Sequence, residues 1–161
     1  MTDAWSNFFI AQCGASAALL GLLFVSVSLN LSRILSFPQL PGRALLAMML
    51  LLTILIVALL MLIPGQPVVA NSIEVLACGL LIGAAGIAAK MRDLGRSAAD
   101  QRYYSIQDAA ILAIAVIPYL VAGALLLSGA ASALYWLAAA MILSIVKSMM
   151  DAWVLLIEIN R

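Results

Sequence analysis

Residues 43–63 read RALLAMMLLLTILIVALLMLI. Beyond Arg43 the stretch carries no charge, no glycine and no proline, and Thr53 is its one polar side chain. At ~1.5 Å rise per residue, a helix of this length covers about 30 Å, the thickness of a bilayer's hydrocarbon core. A strand fits poorly, because the apolar residues are continuous rather than alternating, with Leu and Ala outweighing Val and Thr. Outward from this stretch lie four more runs of the same kind, at 8–31, 73–89, 109–127 and 134–157; the run at 73–89 is near the short limit for a span. Of the 161 residues 66% are apolar and 9% charged, with mean hydropathy +1.20. Soluble domains carry about 25% charged residues, so this chain lacks the polar surface to coat a globule in water. The expectation is an all-α polytopic membrane protein with five transmembrane helices, forming a single domain over residues 1–161.

The cations outside the runs are sorted by side. Arg33 and Arg43 flank the first connection, Lys90, Arg92, Arg96 and Arg102 occupy the third, and Arg161 ends the chain. The N-terminal tail and the connections at 64–72 and 128–133 hold none. Cytoplasmic loops are enriched in Lys and Arg, which predicts an N-out, C-in orientation and an odd number of crossings. Met1-Thr2-Asp3 lacks the basic start of a cleavable signal, so the first run reads as an uncleaved helix. The absence of histidine removes any imidazole metal site or histidine proton relay. Cys13 and Cys78 fall at similar depth on the first and third runs. A disulfide would be open to them, but small buried thiols are the stronger expectation.

Aromatic anchors are expected at both boundaries: Trp5, Phe8, Phe9, Tyr135 and Trp136 on the outer side, Tyr103 and Tyr104 on the inner. Pro38, Pro41 and Gly42 make an inner turn, and Pro64-Gly65-Gln66-Pro67 stops the second span. Ser105 and Asp108 have capping-box spacing and are expected to start the fourth span. Pro118 is expected to kink it, freeing the carbonyl of Ile114. The inner loop at 90–107, with Asp93 and Asp100 among its basic residues, is too short for a soluble catalytic domain and is expected to fix topology.

Two kinds of helix face stand out. Gly79, Gly83 and Gly86 line one side of the third run, and Gly14, Ala18 and Gly21 repeat the device on the first. In lipid, helices associate through close backbone approach, which small residues allow. Packing inside one bundle is the leading reading of both faces, with contact between subunits second. The other face is polar. Ser144, Lys147, Ser148, Asp151 and Glu158 share one side of the last run. Counted from Leu134, Lys147 lies about 20 Å into a ~30 Å core and Asp151 about 26 Å. A charge at the bilayer centre costs roughly 2.5–3.5 kcal/mol, so this stripe is expected to face protein or a water-filled cavity. On the first run Gln12, Ser16, Ser26, Asn30 and Arg33 form a second stripe whose inner half reaches a similar depth. The candidate intramembrane site is therefore Lys147, Asp151, Ser144, Ser148, Asn30 and Ser26. It reads either as a packing network or as the lining of a pathway. No nucleophile, cofactor motif or metal-ligand spacing accompanies it, so the chain reads as a non-enzyme without cofactor, and no basic nucleic-acid surface is present.

The stretches Gly14-Ala15-Ser16-Ala17-Ala18-Leu19-Leu20-Gly21, Leu40-Pro41-Gly42-Arg43, Ile63-Pro64-Gly65-Gln66 and Asp151-Ala152-Trp153 resemble a group of short bacterial inner-membrane proteins, some of which carry the transferred name "modulator of FtsH protease". The resemblance runs through most of the chain and implies a location in the bacterial inner membrane. The seven-helix modulators are longer and differently patterned, so their activity is not implied. The reading that follows is a small homo-oligomeric channel or transporter-like pore for an ion or small polar solute, with the lipid bilayer as its surroundings. The alternative is a scaffold or regulatory subunit of a membrane complex, such as a protease assembly.

Overall fold

A computed structural model describes residues 5–94 and 102–159, and its described residues are helical apart from short turns. In chain order the helices are α1 (Ser6–Leu29), α2 (Leu31–Leu35), α3 (Leu40–Met61), α4 (Val68–Leu94), α5 (Arg102–Leu127) and α6 (Ala133–Ile159). Five of them, all but α2, are long and apolar enough to cross a membrane. Met1, Thr2, Asp3, Arg96, Asp100 and Arg161, and the side chains of Arg92, Asp93, Arg102, Tyr103, Tyr104 and Ser105, lie outside the described residues.

Three boundaries differ from the sequence reading, each for a local reason. The first run is broken at Asn30, whose carbonyl accepts from the backbone of Arg33 and Ile34 at 3.1 and 2.9 Å, and so begins the short α2. The second difference is at α4, which starts at Val68 rather than 73. The Pro67 carbonyl accepts from Ala70 and Asn71 at 2.9 and 3.2 Å, and a proline directly ahead of a helix costs it no amide bond. This draws Asn71 and Ser72 into the helix. Finally, α5 starts at Arg102, so Ser105 and Asp108 are interior to it and not its cap. The capping-box assignment is thereby overturned, and the Asp108 carboxylate has other partners. Pro118 lies inside α5, which continues past it to Leu127.

Packing follows burial. Helix α3 lies against α1, α4 and α6, while α5 joins α4 to α6. The main core gathers Phe9, Leu51, Ile54, Val57, Tyr119, Leu137 and Met141 from four helices. Helix α1 buries only Phe9, Ser16 and Leu23, and rests on α3. At one end Trp5 meets Tyr135 edge-on at 4.9 Å and Phe8 at 5.7 Å. Gly65 and Gly129, both with φ of 71°, close the turns at that end. The opposite end carries Arg33, Arg43 and Lys90 and is called the basic end below. Cys13 and Cys78 are half-buried free thiols.

The two small-residue faces are used differently. A Cβ added to Gly79 would lie 3.0 Å from Tyr119 Cβ, and one on Gly83 3.3 Å from Val116. From α5, Gly123 returns the contact: a Cβ there would lie 2.5 Å from Leu76 Cγ. Gly86 faces Leu112 in the same seam. Small residues thus let α4 and α5 approach closely. Gly14 and Gly21 face open space, with nothing within 4 Å of an added Cβ.

Candidate functional site

The most buried charge is Lys147, 1% exposed. It sits on the face of α6 that also buries Ser144, Ser148 and Asp151, because spacings of three and four return to one side of a helix. Its ammonium donates to Asp151 Oδ1 at 2.5 Å and to Asp108 Oδ1, on α5, at 2.6 Å. The other oxygen of Asp108 pairs with Lys90 at the end of α4. Two cations and two carboxylates therefore alternate across three helices with no net charge. Arg43, opening α3, is near enough for its charge to act on Asp151. Burying an ammonium is tolerable only when carboxylates replace its hydration, and here two do. The neighbouring Ser148 hydroxyl donates to the carbonyl of Ala47 at 3.0 Å, tying α6 to α3.

Polar groups continue toward the other end. One turn before Lys147, Ser144 faces the hydroxyl of Tyr119 on α5. Both side chains are fully buried, and neither hydroxyl completes a hydrogen bond of normal geometry among the described residues. Tyr119 lies against α4 beside Gly79, within electrostatic reach of Cys78. One turn further along α4, Glu74 acts on Cys78 and accepts from Gln66 Nε2 at 2.7 Å. Hydrogen bonds thus join Gln66 to Glu74 at one end and Lys147, Asp108 and Lys90 at the other, and Cys78, Tyr119 and Ser144 lie in line between them on α4, α5 and α6. From Glu74 to Lys90 this line covers about 24 Å at ~1.5 Å per residue. Asp151 branches from it with Oδ2 buried and unpartnered. At the basic end the side chains of Asp108 and Lys90 are 16% and 14% exposed.

Of the six residues expected to form the site, the structure groups Ser144, Lys147, Ser148 and Asp151. It does not bring in Asn30 and Ser26. Asn30 Nδ2 donates to the Ser26 carbonyl at 3.0 Å, within its own helix. Ser26 lines an apolar groove of about 220 Å³ with Leu19, Leu23, Met149 and Leu155. The reason is that α1 packs on α3 and barely meets α6, and its polar groups turn to their own backbone; the Ser16 hydroxyl, for example, donates to the Gln12 carbonyl at 2.6 Å. Sequence reasoning missed Glu74, Tyr119 and the pairing of Asp108 and Lys90 with Lys147. A lone carboxylate within an apolar run was the available signal for Glu74. The Asp108–Lys147 pair links residues 39 apart, and no local pattern announces it. Comparison of the chain with family models, with curated proteins and with solved structures gives no match.

Proposed function

We propose that the protein is a transporter-like membrane protein that passes a small ion or polar solute along the line between α4, α5 and α6. The observation that carries this reading is the row of polar groups inside the bundle, hydrogen-bonded at its two ends, Gln66 to Glu74 at one and Lys147 to Asp108 to Lys90 at the other. Ionisable groups within a membrane characteristically mark ion and proton pathways. Because Lys147 and Asp151 are buried inside one chain, the pathway belongs to the interior of each protomer rather than to an axis between subunits. The cation sorting supports a cytoplasmic basic end, and the resemblance noted from the sequence supports a bacterial inner membrane. The test is flux into liposomes holding the purified protein, with Na⁺, K⁺, Cl⁻, H⁺ and a small neutral solute assayed separately. Parent protein should move one of these above the level of empty vesicles, and Lys147→Leu and Asp151→Leu proteins should not. Variants that carry as much as the parent would remove both residues from the pathway, and a parent inert to every species would remove the function.

A second reading, a non-enzymatic scaffold or regulatory subunit of a membrane complex, is favoured by α1. Its Gly14 and Gly21 face is open, and Ile10, Leu22 and Phe24 are exposed beside it. The same face would serve a homo-oligomer. Purification in gentle detergent discriminates: a stoichiometric foreign partner supports the scaffold, and a particle of this chain alone supports the transporter.

A further inference from the structure

Resting on the pathway reading above, we propose that the species carried is the proton, and that the Tyr119 and Ser144 hydroxyls form the link that carries it through the apolar middle of the bundle. Three observations lead there. First, α4 and α5 are packed too closely to admit a hydrated ion beside the line: even one added carbon on Gly123 or Gly79 would meet Leu76 or Tyr119 at 2.5 or 3.0 Å. A proton needs no such space, since it moves by exchange between hydrogen-bonding groups. Second, every member of the line from Glu74 to Lys90 is a carboxyl, thiol, phenol, hydroxyl or amine, and each of these can hold or release a proton. Third, Tyr119 Oη and Ser144 Oγ face each other in the buried interior, and neither completes a hydrogen bond of normal geometry there. Such groups are costly to keep, and a relay link is a use for both.

The transfer balances without any change of oxidation state. At the basic end the Lys147 ammonium gives a proton to Asp108: an N–H bond breaks and a carboxyl O–H forms. That carboxyl, partly exposed, releases the proton to water. The neutral amine takes a proton from Ser144, one turn away and about 5–6 Å between Cβ atoms, directly or through one water. Ser144 gives that proton as it accepts the phenol proton of Tyr119, Tyr119 is reprotonated by the Cys78 thiol, Cys78 by the Glu74 carboxyl, and Glu74 takes its proton from water at the Gln66 end. One proton leaves for each that enters. Asp151 stands beside the amine, and the charge of Arg43 acts in turn on Asp151.

The experiment uses liposomes carrying the full chain, a trapped pH-sensitive dye, and a membrane potential set by a K⁺ gradient with valinomycin. Expected are proton flux above empty vesicles, Na⁺ and Cl⁻ flux no greater than theirs, and slower flux in deuterated water. Tyr119→Phe and Ser144→Ala should each lower proton flux by at least about tenfold, the scale of a lost proton-transfer group. Their thermal midpoints should stay close to the parent's, because neither hydroxyl completes a hydrogen bond of normal geometry; a purely structural role would lower stability and leave flux in place. Flux of another species without proton flux overturns the proton assignment and leaves the pathway standing. Silence toward all species overturns both. Proton flux untouched by either substitution overturns the link.

Discussion

Lys147 is the residue on which the interior depends. Its ammonium is hidden from solvent and held by Asp151 and Asp108. Removing one member of a buried ion pair strands the other, at a cost of about 3–5 kcal/mol. Lys147→Met should therefore destabilise the protein by roughly that amount in reversible unfolding from mixed micelles. Neutralising Asp151 to Asn in the same chain should recover most of the loss, since Asp108 still pairs with Lys90 and no charge is then left alone. If Lys147→Met unfolds at the parent midpoint, the paired charges contribute no stability. Ser26→Ala should shift stability by no more than about 0.5 kcal/mol, as for sites outside such networks. At this scale the sequence was half legible. The i, i+4 spacing of Lys147 and Asp151 is local and shows through. Asp108 carries two equally good local meanings, cap and ion-pair partner, and only the packing of α5 on α6 decides between them. Ser26 and Asn30 misled because depth was read as proximity: two stripes at one level of a bilayer still need helices that touch.

Among the elements, the α4–α5 pair is the most demanding. Substituting alanine along its seam should give graded losses in thermal stability. Gly123→Ala is the worst, at about 1–3 kcal/mol, because the Leu76 branch carbon and backbone both stand in the way. Gly83→Ala, with 3.3 Å to a Val116 methyl, is milder. Gly86→Ala meets the free end of Leu112, which can rotate aside. On α1, Gly14→Ala meets nothing and should be neutral or gain up to about 1 kcal/mol from helix propensity. A Gly14→Ala loss as large as that of Gly123→Ala would contradict this ordering. Helix existence was legible from apolar run length alone, since burial in lipid and burial in protein ask the same of a side chain. The starts of α4 and α5 were not. In both, the helix continues beyond the apolar run into polar residues, and composition marks where the hydrocarbon ends, not where the backbone hydrogen bonds begin.

For the molecule as a whole, five apolar helices were read from composition, and five are present among the described residues. The sorted cations predict an N-out, C-in orientation. A reporter fused after Arg161 should be active as a cytoplasmic fluorescent protein and silent as an exported phosphatase; the opposite pattern would invert the molecule. Which helices meet was beyond the sequence, because apolar faces in lipid carry no sign of their partner. The open side of α1 gives a further expectation. If the protein self-associates there, Gly14→Leu with Gly21→Leu should shift the particle toward monomer in light scattering while leaving its unfolding midpoint unchanged, and a dimer that survives both must use another surface. The tie between Lys147 and Asp108 also bears on biogenesis. A last segment that releases an ammonium into hydrocarbon is a poor candidate for leaving the translocon alone, whereas α5 is synthesised first and brings the counter-charge with it. The nascent chain is then expected to retain α5 near the exit until α6 emerges, which makes hand-over of α6 a paired event rather than a solitary one.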